Sequence, residues 1–155
     1  MKFRVVVVGK PRAQMVASAI QEYETRAARY WPLEIREVRE EPARGASAAL
    51  VREREGERLL AAVGSGALAV ACTDDGDEFT SPALAAWMRA EQERATRDVA
   101  FVIGGAYGLS PALRAQAAQR LSFSRFTLSH ELARLVLAEQ LYRAGTIVRG
   151  EPYHK

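Results

Sequence analysis

Apolar residues in this chain fall into short dense runs that alternate with longer stretches of helical spacing. Phe3–Val8 is an almost unbroken run of valines, the pattern of a strand covered on both faces. Gly9-Lys10-Pro11 then turns the chain into a helix reaching about Tyr30, with Met15, Val16, Ile20, Tyr23, Ala27 and Tyr30 as its apolar stripe. Pro32 stops that helix, and Leu33–Val38 alternates as a half-exposed strand. Residues 40–47 form a loop, and Ser47 is placed to cap a helix over Ala48–Val63. Gly64 and Gly66 end it, residues 67–72 read as a buried strand, and residues 73–80 as an acidic loop. Ser81-Pro82 opens a helix that continues to Arg94, hydroxyl cap first and proline next. Val99–Ile103 is a strand, residues 104–109 are a glycine-rich loop, and Ser110-Pro111 opens another helix. Residues 121–123 make a short apolar strand, residues 124–127 a hydroxyl-rich turn. Residues 130–144 carry Leu132, Leu135, Val136, Leu137 and Leu141 near a 3.6 period. Strands alternate with helices throughout, which predicts one α/β domain over residues 1–155 with a mostly parallel sheet and helices on both faces.

Composition narrows the class. A chain of 155 residues, 48% hydrophobic and 26% charged, is long enough to bury a core without a metal or disulfide. Cys72 is the only cysteine, so no intrachain disulfide forms and a reducing compartment is expected. The valine run is too short for a signal or membrane segment, and the expected location is the cytoplasm, with no membrane partner. Charge is uneven. Residues 111–155 hold seven Arg/Lys against three Glu, a net of +4 within a total of +3, so residues 1–110 sum to −1. Nineteen of the 22 cations are arginine, a side chain suited to phosphate and to stacking on bases. Nucleic acid is therefore the leading macromolecular partner. The run Arg52-Glu53-Arg54-Glu55-Gly56-Glu57-Arg58 reads as a solvated helical face with charge pairs three and four residues apart, rather than an RNA-facing surface.

Candidate chemistry gathers at loops. The run Gly104-Gly105-Ala106-Tyr107-Gly108 follows a buried strand, where glycines let backbone approach a ligand. It lacks the spacing of a dinucleotide fingerprint, and Gly9-Lys10 lacks that of a phosphate-binding loop. Two such loops and the turn at 121–128 leave the same edge of the sheet, which predicts a small-molecule pocket held largely by backbone. His130 and His154 are the only histidines, and no Cys or carboxylate spacing completes a metal site. No nucleophile elbow is present. The last residues, Pro152-Tyr153-His154-Lys155, put an aromatic, an imidazole and a cation where chains usually fray.

Several segments together resemble one family. They are residues 101–109 (FVIGGAYGL), Leu121-Ser122-Phe123-Ser124, the run Thr127-Leu128-Ser129-His130-Glu131-Leu132-Ala133-Arg134, Glu139-Gln140-Leu141-Tyr142-Arg143-Ala144 and the ending Pro152-Tyr153-His154-Lys155. This combination resembles the RlmH family of the SPOUT superfamily, bacterial 23S rRNA (pseudouridine-1915 N3)-methyltransferases. The resemblance spans the whole chain. It implies a C-terminal trefoil knot, S-adenosylmethionine (AdoMet) bound in the knot loops, and a homodimer acting on 23S rRNA within the assembled ribosome, with no metal. By position it implies cofactor contacts at Cys72, Gly104, Gly105 and across Phe123, Ser124, Arg125, Phe126, Thr127 and Leu128. His130, Arg143, Tyr153 and His154 fall on the substrate side, with one subunit's tail completing the other's pocket. The chain departs from the family at Cys72-Thr73, where relatives have Leu followed by an acid.

That resemblance implies roles for the tail: His154 as proton acceptor, Arg143 and His130 holding an anionic base or phosphate, Tyr153 stacking on the target base. An imide nitrogen is weakly acidic, so alignment counts for more than covalent chemistry. A knotted methyltransferase acting on another RNA and a binding factor without activity are the alternatives. A nicotinamide or flavin enzyme is disfavoured by the missing fingerprint. The helix over residues 130–144 is apolar enough for a subunit interface or for core packing, and the residues leave both open.

Overall fold

In a computed structural model, which describes residues 1–155, five parallel strands lie in the order β2-β1-β4-β3-β5. The strands are β1 (Phe3–Val8), β2 (Leu33–Val38), β3 (Leu68–Glu78), β4 (Val99–Ile103) and β5 (Gln119–Ser122). The helices are α1 (Gln14–Ala27), α2 (Ala48–Val63), α3 (Ser81–Arg94), α4 (Pro111–Gln116) and α5 (His130–Val148). Each strand returns through a helix, so the mostly parallel sheet expected from the alternation of elements is all parallel here. Phe3 pairs with Leu33 on one side and Val99 on the other, which sets β1 between β2 and β4.

Side chains of the buried strands divide by parity, as a pleat requires. Phe3, Val5, Val7, Phe101 and Ile103 face α1, α3 and α5, where Ala27, Met88, Leu137, Leu141 and Ala144 cover them. Val6, Val8, Ala69, Ala71, Ala100 and Val102 face α2 and α4, under Leu59, Val63 and Leu113. The C-terminal helix thus supplies core: Leu137, Leu141 and Ala144 are fully buried. Trp31 donates its indole N–H to the Leu141 carbonyl at 2.8 Å, and Arg134 of α5 is buried between Glu24 of α1 (2.7 Å) and Glu37 of β2 (2.8 Å).

Several boundaries differ from the sequence reading. The acidic stretch 73–78 is strand, not loop. β3 continues past Cys72 through a bulge, and Asp77 and Glu78 pair with Leu121 and Ser122 of β5. A Cβ on Gly76 would lie 2.7 Å from the Arg120 carbonyl carbon, so glycine allows the two strands to close there. β5 is Gln119–Ser122 and leaves Phe123 free for the turn beyond it. Thr80, not Ser81, caps α3 by accepting the Ala83 N–H. Ser47, Ser110 and Ser129 cap their helices in the same way. α1 ends at Ala27, and Met15 of its expected stripe is 86% exposed. α5 runs one turn further than expected, to Val148. Arg54 and Arg58 in the charged run of α2 pair with Glu41 across the loop, and Glu55 and Gly56 are buried rather than solvated.

Candidate active site

The carboxyl ends of β4 and β5 and the bulged middle of β3 open into one cleft of roughly 690 Å3, mouth included. Ile103 and Gly104 bring the end of β4 into it, Cys72 and Thr73 bring β3, and Phe123 follows β5. Loop 104–108 is closed by the Gly108 N–H donating to the Gly105 carbonyl at 3.0 Å. A Cβ on Gly104 would meet Gly108 backbone at 2.6 Å, so this turn keeps its shape only with glycine at 104. Ser124 Oγ accepts the Phe126 N–H at 3.0 Å and curls the second loop toward the first. The start of α5, held by the Ser129 cap, closes the cleft with His130 and Ala133.

The expected convergence therefore occurs. Cys72, Gly104, Gly105 and Phe123 all line the cleft, as do Ser124, Phe126, Thr127, Leu128 and His130. Arg125 does not: its side chain is turned outward to Glu78, 3.3 Å away. The walls are mostly apolar side chain and bare backbone, with few charges. Thr127 Oγ1 lies 3.4 Å from Asp74 Oδ2. The Thr73 hydroxyl oxygen is buried beneath the cleft surface, and it and Arg114 hold the Asp75 carboxyl below the usual carboxylate range. Burial pushes the Cys72 thiol up to about 12, against a weaker opposing effect from the Val102 backbone, so Cys72 is a neutral wall residue and no nucleophile.

Leu109 and Arg114 also line the cleft, as do Thr73, where the chain departs from the family, and the neighbouring Asp74. Thr73 and Asp74 sit on the extension of β3, which acidic composition disguised as loop. Leu109 was the end of the glycine-rich run, a usable signal.

Arg143, Tyr153 and His154 gather elsewhere. The Tyr153 hydroxyl donates to Glu139 at 3.0 Å, its ring lies 4.6 Å from that of Tyr142, and the Arg143 guanidinium covers it at 4.8 Å. Glu139 bonds Arg143 as well and raises its pKa. His154 Nδ1 lies 3.4 Å from Arg143 Nη1. Burial, then hydrogen bonding with Tyr23 and Glu139, raises the Tyr153 phenol well above its ordinary range. His130 and Arg143 share α5 but are thirteen residues apart, about 20 Å at 1.5 Å per residue. Within one chain the tail cluster and the cleft stand at opposite ends of this helix.

Among the described residues no set of three His, Cys, Asp or Glu side chains could hold a metal, and no helix is long and apolar enough to cross a membrane. The C-terminal cations are largely engaged: Arg114 and Arg120 with Asp75, Arg134 and Arg143 with glutamates.

Comparison with known proteins is consistent along the whole length. A family described as "Predicted SPOUT methyltransferase" matches residues 1–154. A Gemmatimonas aurantiaca protein named Ribosomal RNA large subunit methyltransferase H is 56% identical over 155 residues, the whole of both chains. Proteins of the same name from Anaeromyxobacter sp. (strain K) and Geobacter sp. (strain M21) are 50% identical over all of both chains and 46% identical over 99% of each. Two solved structures share the fold. One is a probable methylase family protein of Haemophilus influenzae Rd KW20 (15% identity, TM-score 0.59), aligned over 99% of this chain and 70% of that one. The other is a probable methyltransferase of Bordetella pertussis Tohama I (16%, TM-score 0.58), over 92% and 95%. The chain belongs to the SPOUT methyltransferase family.

Proposed function

We propose that this protein is an AdoMet-dependent methyltransferase that modifies N3 of pseudouridine 1915 in helix 69 of 23S rRNA, on the assembled ribosome and in the cytoplasm. The observation that carries the reading is the convergence of the ends of β4 and β5 and the bulge of β3 on one cleft, in a chain whose full-length relatives are named large-subunit rRNA methyltransferases.

The residues present fit the cofactor. Ile103, Leu109, Phe123 and Leu128 offer apolar walls to a flat heterocycle, while the backbone at 104–105, where a Cβ on Gly104 would strike Gly108 at 2.6 Å, offers polar contacts. When bound, the cofactor supplies an electrophilic methyl group on a sulfonium. The protein's share is to align the acceptor nitrogen and receive its proton.

His154, Arg143, Tyr153 and His130 form the substrate side of this reading. An arginine N–H can only donate, so His154 Nδ1 is the acceptor in its contact with Arg143. When Arg143 turns to the anionic base or a phosphate, Nδ1 is freed to take the imide proton. Tyr153 stays a phenol and serves by stacking. A tail cluster about 20 Å from the cleft of its own chain supports a homodimer in which one subunit's tail completes the cleft of its partner. The pairing of β5 beside β3, with the turn at 123–128 laid against loop 104–108, is the arrangement in which the C-terminal trefoil knot would lie. The shared core across both faces supports a single domain over residues 1–155. With its C-terminal cations largely paired, the protein has little charge to capture naked RNA, which favours a structured ribosomal surface.

The test is transfer of labelled methyl from AdoMet to ribosomes lacking this modification, with the modified nucleotide mapped. Incorporation at the helix 69 pseudouridine is expected. Equal incorporation into free rRNA would overturn the assembled-ribosome assignment, and none into either would overturn the function.

A further inference from the structure

Glu55 is a buried carboxylate that the reading above leaves without a role. It lies on α2 inside the charged run, only 3% exposed, and its Oε2 has no hydrogen-bond partner. Both carboxyl oxygens face Gly105: a Cβ there would stand 2.7 Å from Oε2 and 3.0 Å from Oε1. Gly105 lines the cleft while Glu55 does not, so the carboxyl stands behind the loop, on the side away from the cleft. The next residue, Gly56, presses on the other end of the same loop, where a Cβ would lie 2.8 Å from Ser110 Cβ. Two consecutive residues of α2 therefore back both ends of loop 104–110.

We propose that Glu55 is a positioning residue for the cofactor loop: its carboxyl group braces Gly105 from behind and sets how far the 104–108 backbone stands into the cleft. A buried carboxyl with an unused oxygen is costly to keep, and an apolar side chain would fill the same space more cheaply. The charged groups around it do not neutralise it. Glu40 and Glu41 approach from the loop before α2, and Arg58, one turn along, is committed to Glu41. Burial first, then Glu40, favours the neutral form of Glu55. A side chain of this length keeps the loop at the right height, so an amide serves in its place and a methyl group does not.

The inference rests on the cleft being the AdoMet site, and the experiment separates the two. AdoMet affinity is measured by calorimetry on the full chain, and methylation kinetics on ribosomes, for Glu55→Gln, Glu55→Ala, Glu55→Asp, Gly105→Ala and the double variant Glu55→Ala/Gly105→Ala. Glu55→Gln is expected to bind AdoMet within about twofold of the unaltered protein. Glu55→Ala raises both Kd and the KM for AdoMet about tenfold, with kcat at saturating AdoMet little changed. Gly105→Ala weakens binding because its methyl strikes the carboxyl and shifts the loop. The double variant recovers much of that loss, because the space behind the loop has been cleared, a non-additive pair. Glu55→Asp withdraws the carboxyl by one methylene and carries the same expectation where Glu55→Ala does not fold. Wild-type Kd in Glu55→Ala or Glu55→Asp, with only the melting temperature lowered, would make Glu55 a core residue without hold on the loop. A double variant weaker than both single variants would also overturn the proposal. No AdoMet binding by the unaltered protein would instead overturn the cleft reading.

Discussion

The Tyr153 hydroxyl donates to Glu139, 3.0 Å away and fourteen residues earlier, so the C-terminal tail is folded back onto the helix that carries it. Arg143 lies between the two, bonded to Glu139 and stacked on the Tyr153 ring. The tail is therefore ordered before any RNA arrives. Removing only the hydroxyl tests what the ring does. Tyr153→Phe is expected to keep kcat/KM for ribosomes within a few-fold, while Tyr153→Ala loses the stacking, about 1–3 kcal/mol or roughly tenfold to a hundredfold. Equal losses in the two variants would assign the function to the hydroxyl instead.

His154→Ala addresses the proton. His154 is not among the residues that line the AdoMet cleft, so AdoMet affinity is expected to be unchanged. The single-turnover methylation rate should fall by about a hundredfold to ten-thousandfold, the range for losing a general base. A full rate with normal ribosome affinity would remove His154 from the chemistry.

Mixing two inactive variants tests where the tail acts. Gly104→Ala disables the cleft through its clash with the Gly108 backbone, and His154→Ala disables the tail. Heterodimers formed by co-expression contain one doubly altered site and one intact site if tails are exchanged, and should regain about half of wild-type activity per dimer. If each tail served its own cleft, both sites would be defective and the mixture would stay inactive. Activity per isolated heterodimer, purified on two different tags, decides between them.

Gly145 reverses an ordinary expectation. Alanine in place of a mid-helix glycine normally stabilises by about 1 kcal/mol. Here the added methyl would enter the ring of Tyr30, in the turn after α1, against which Gly145 lets α5 pack. Gly145→Ala should destabilise by about 1–3 kcal/mol, the cost of overpacking, measured by urea unfolding. Tyr30 also bonds Glu151 and lies under Arg149 at 4.4 Å, so ribosome methylation should fall with stability as the tail loses its anchor.

Glu55 has a stability signature separate from its effect on binding. Its pKa is raised in the folded chain by burial and by Glu40, so the folded state holds this proton more tightly than the unfolded state. Its contribution is full below the ordinary glutamate range and is lost as pH rises through the raised value. Glu55→Gln should therefore be more stable than the unaltered protein at neutral pH and should lose that part of the slope, followed by urea unfolding between about pH 4 and pH 8.

Much of this was legible where one period dominated. The uniform valines of β1 and the alternation of β2 identified the strands, and the hydroxyl-proline pairs located two helix starts. The cleft was legible because loops at the carboxyl ends of parallel strands must share an edge. The extension of β3 was not legible, because Thr73-Asp74-Asp75-Gly76-Asp77 has poor strand propensity and becomes strand only through pairing with β5. Glu55 was hidden for a related reason. Among arginines and glutamates of one helical run, nothing local distinguishes the carboxylate that turns inward, and the signal lies in Gly105 fifty residues away. The separation of Arg143 from His130 needed only the helical rise, once both were placed on one helix.

The place of β1 between β2 and β4 has a consequence for biosynthesis. Once synthesised, β1 finds its second neighbour only when Val99, ninety-six positions after Phe3, has followed it. The face of β1 that bears Phe3 and Val5 is covered in part by Leu137 and Leu141 of the last helix. Residues before β4 cannot close this core by themselves: the non-local pairing waits for Val99, and its covering waits for α5. The last helix is thus a lid on the first strand: a chain cut before Leu137 is expected to leave the Phe3 and Val5 face open to solvent and prone to association.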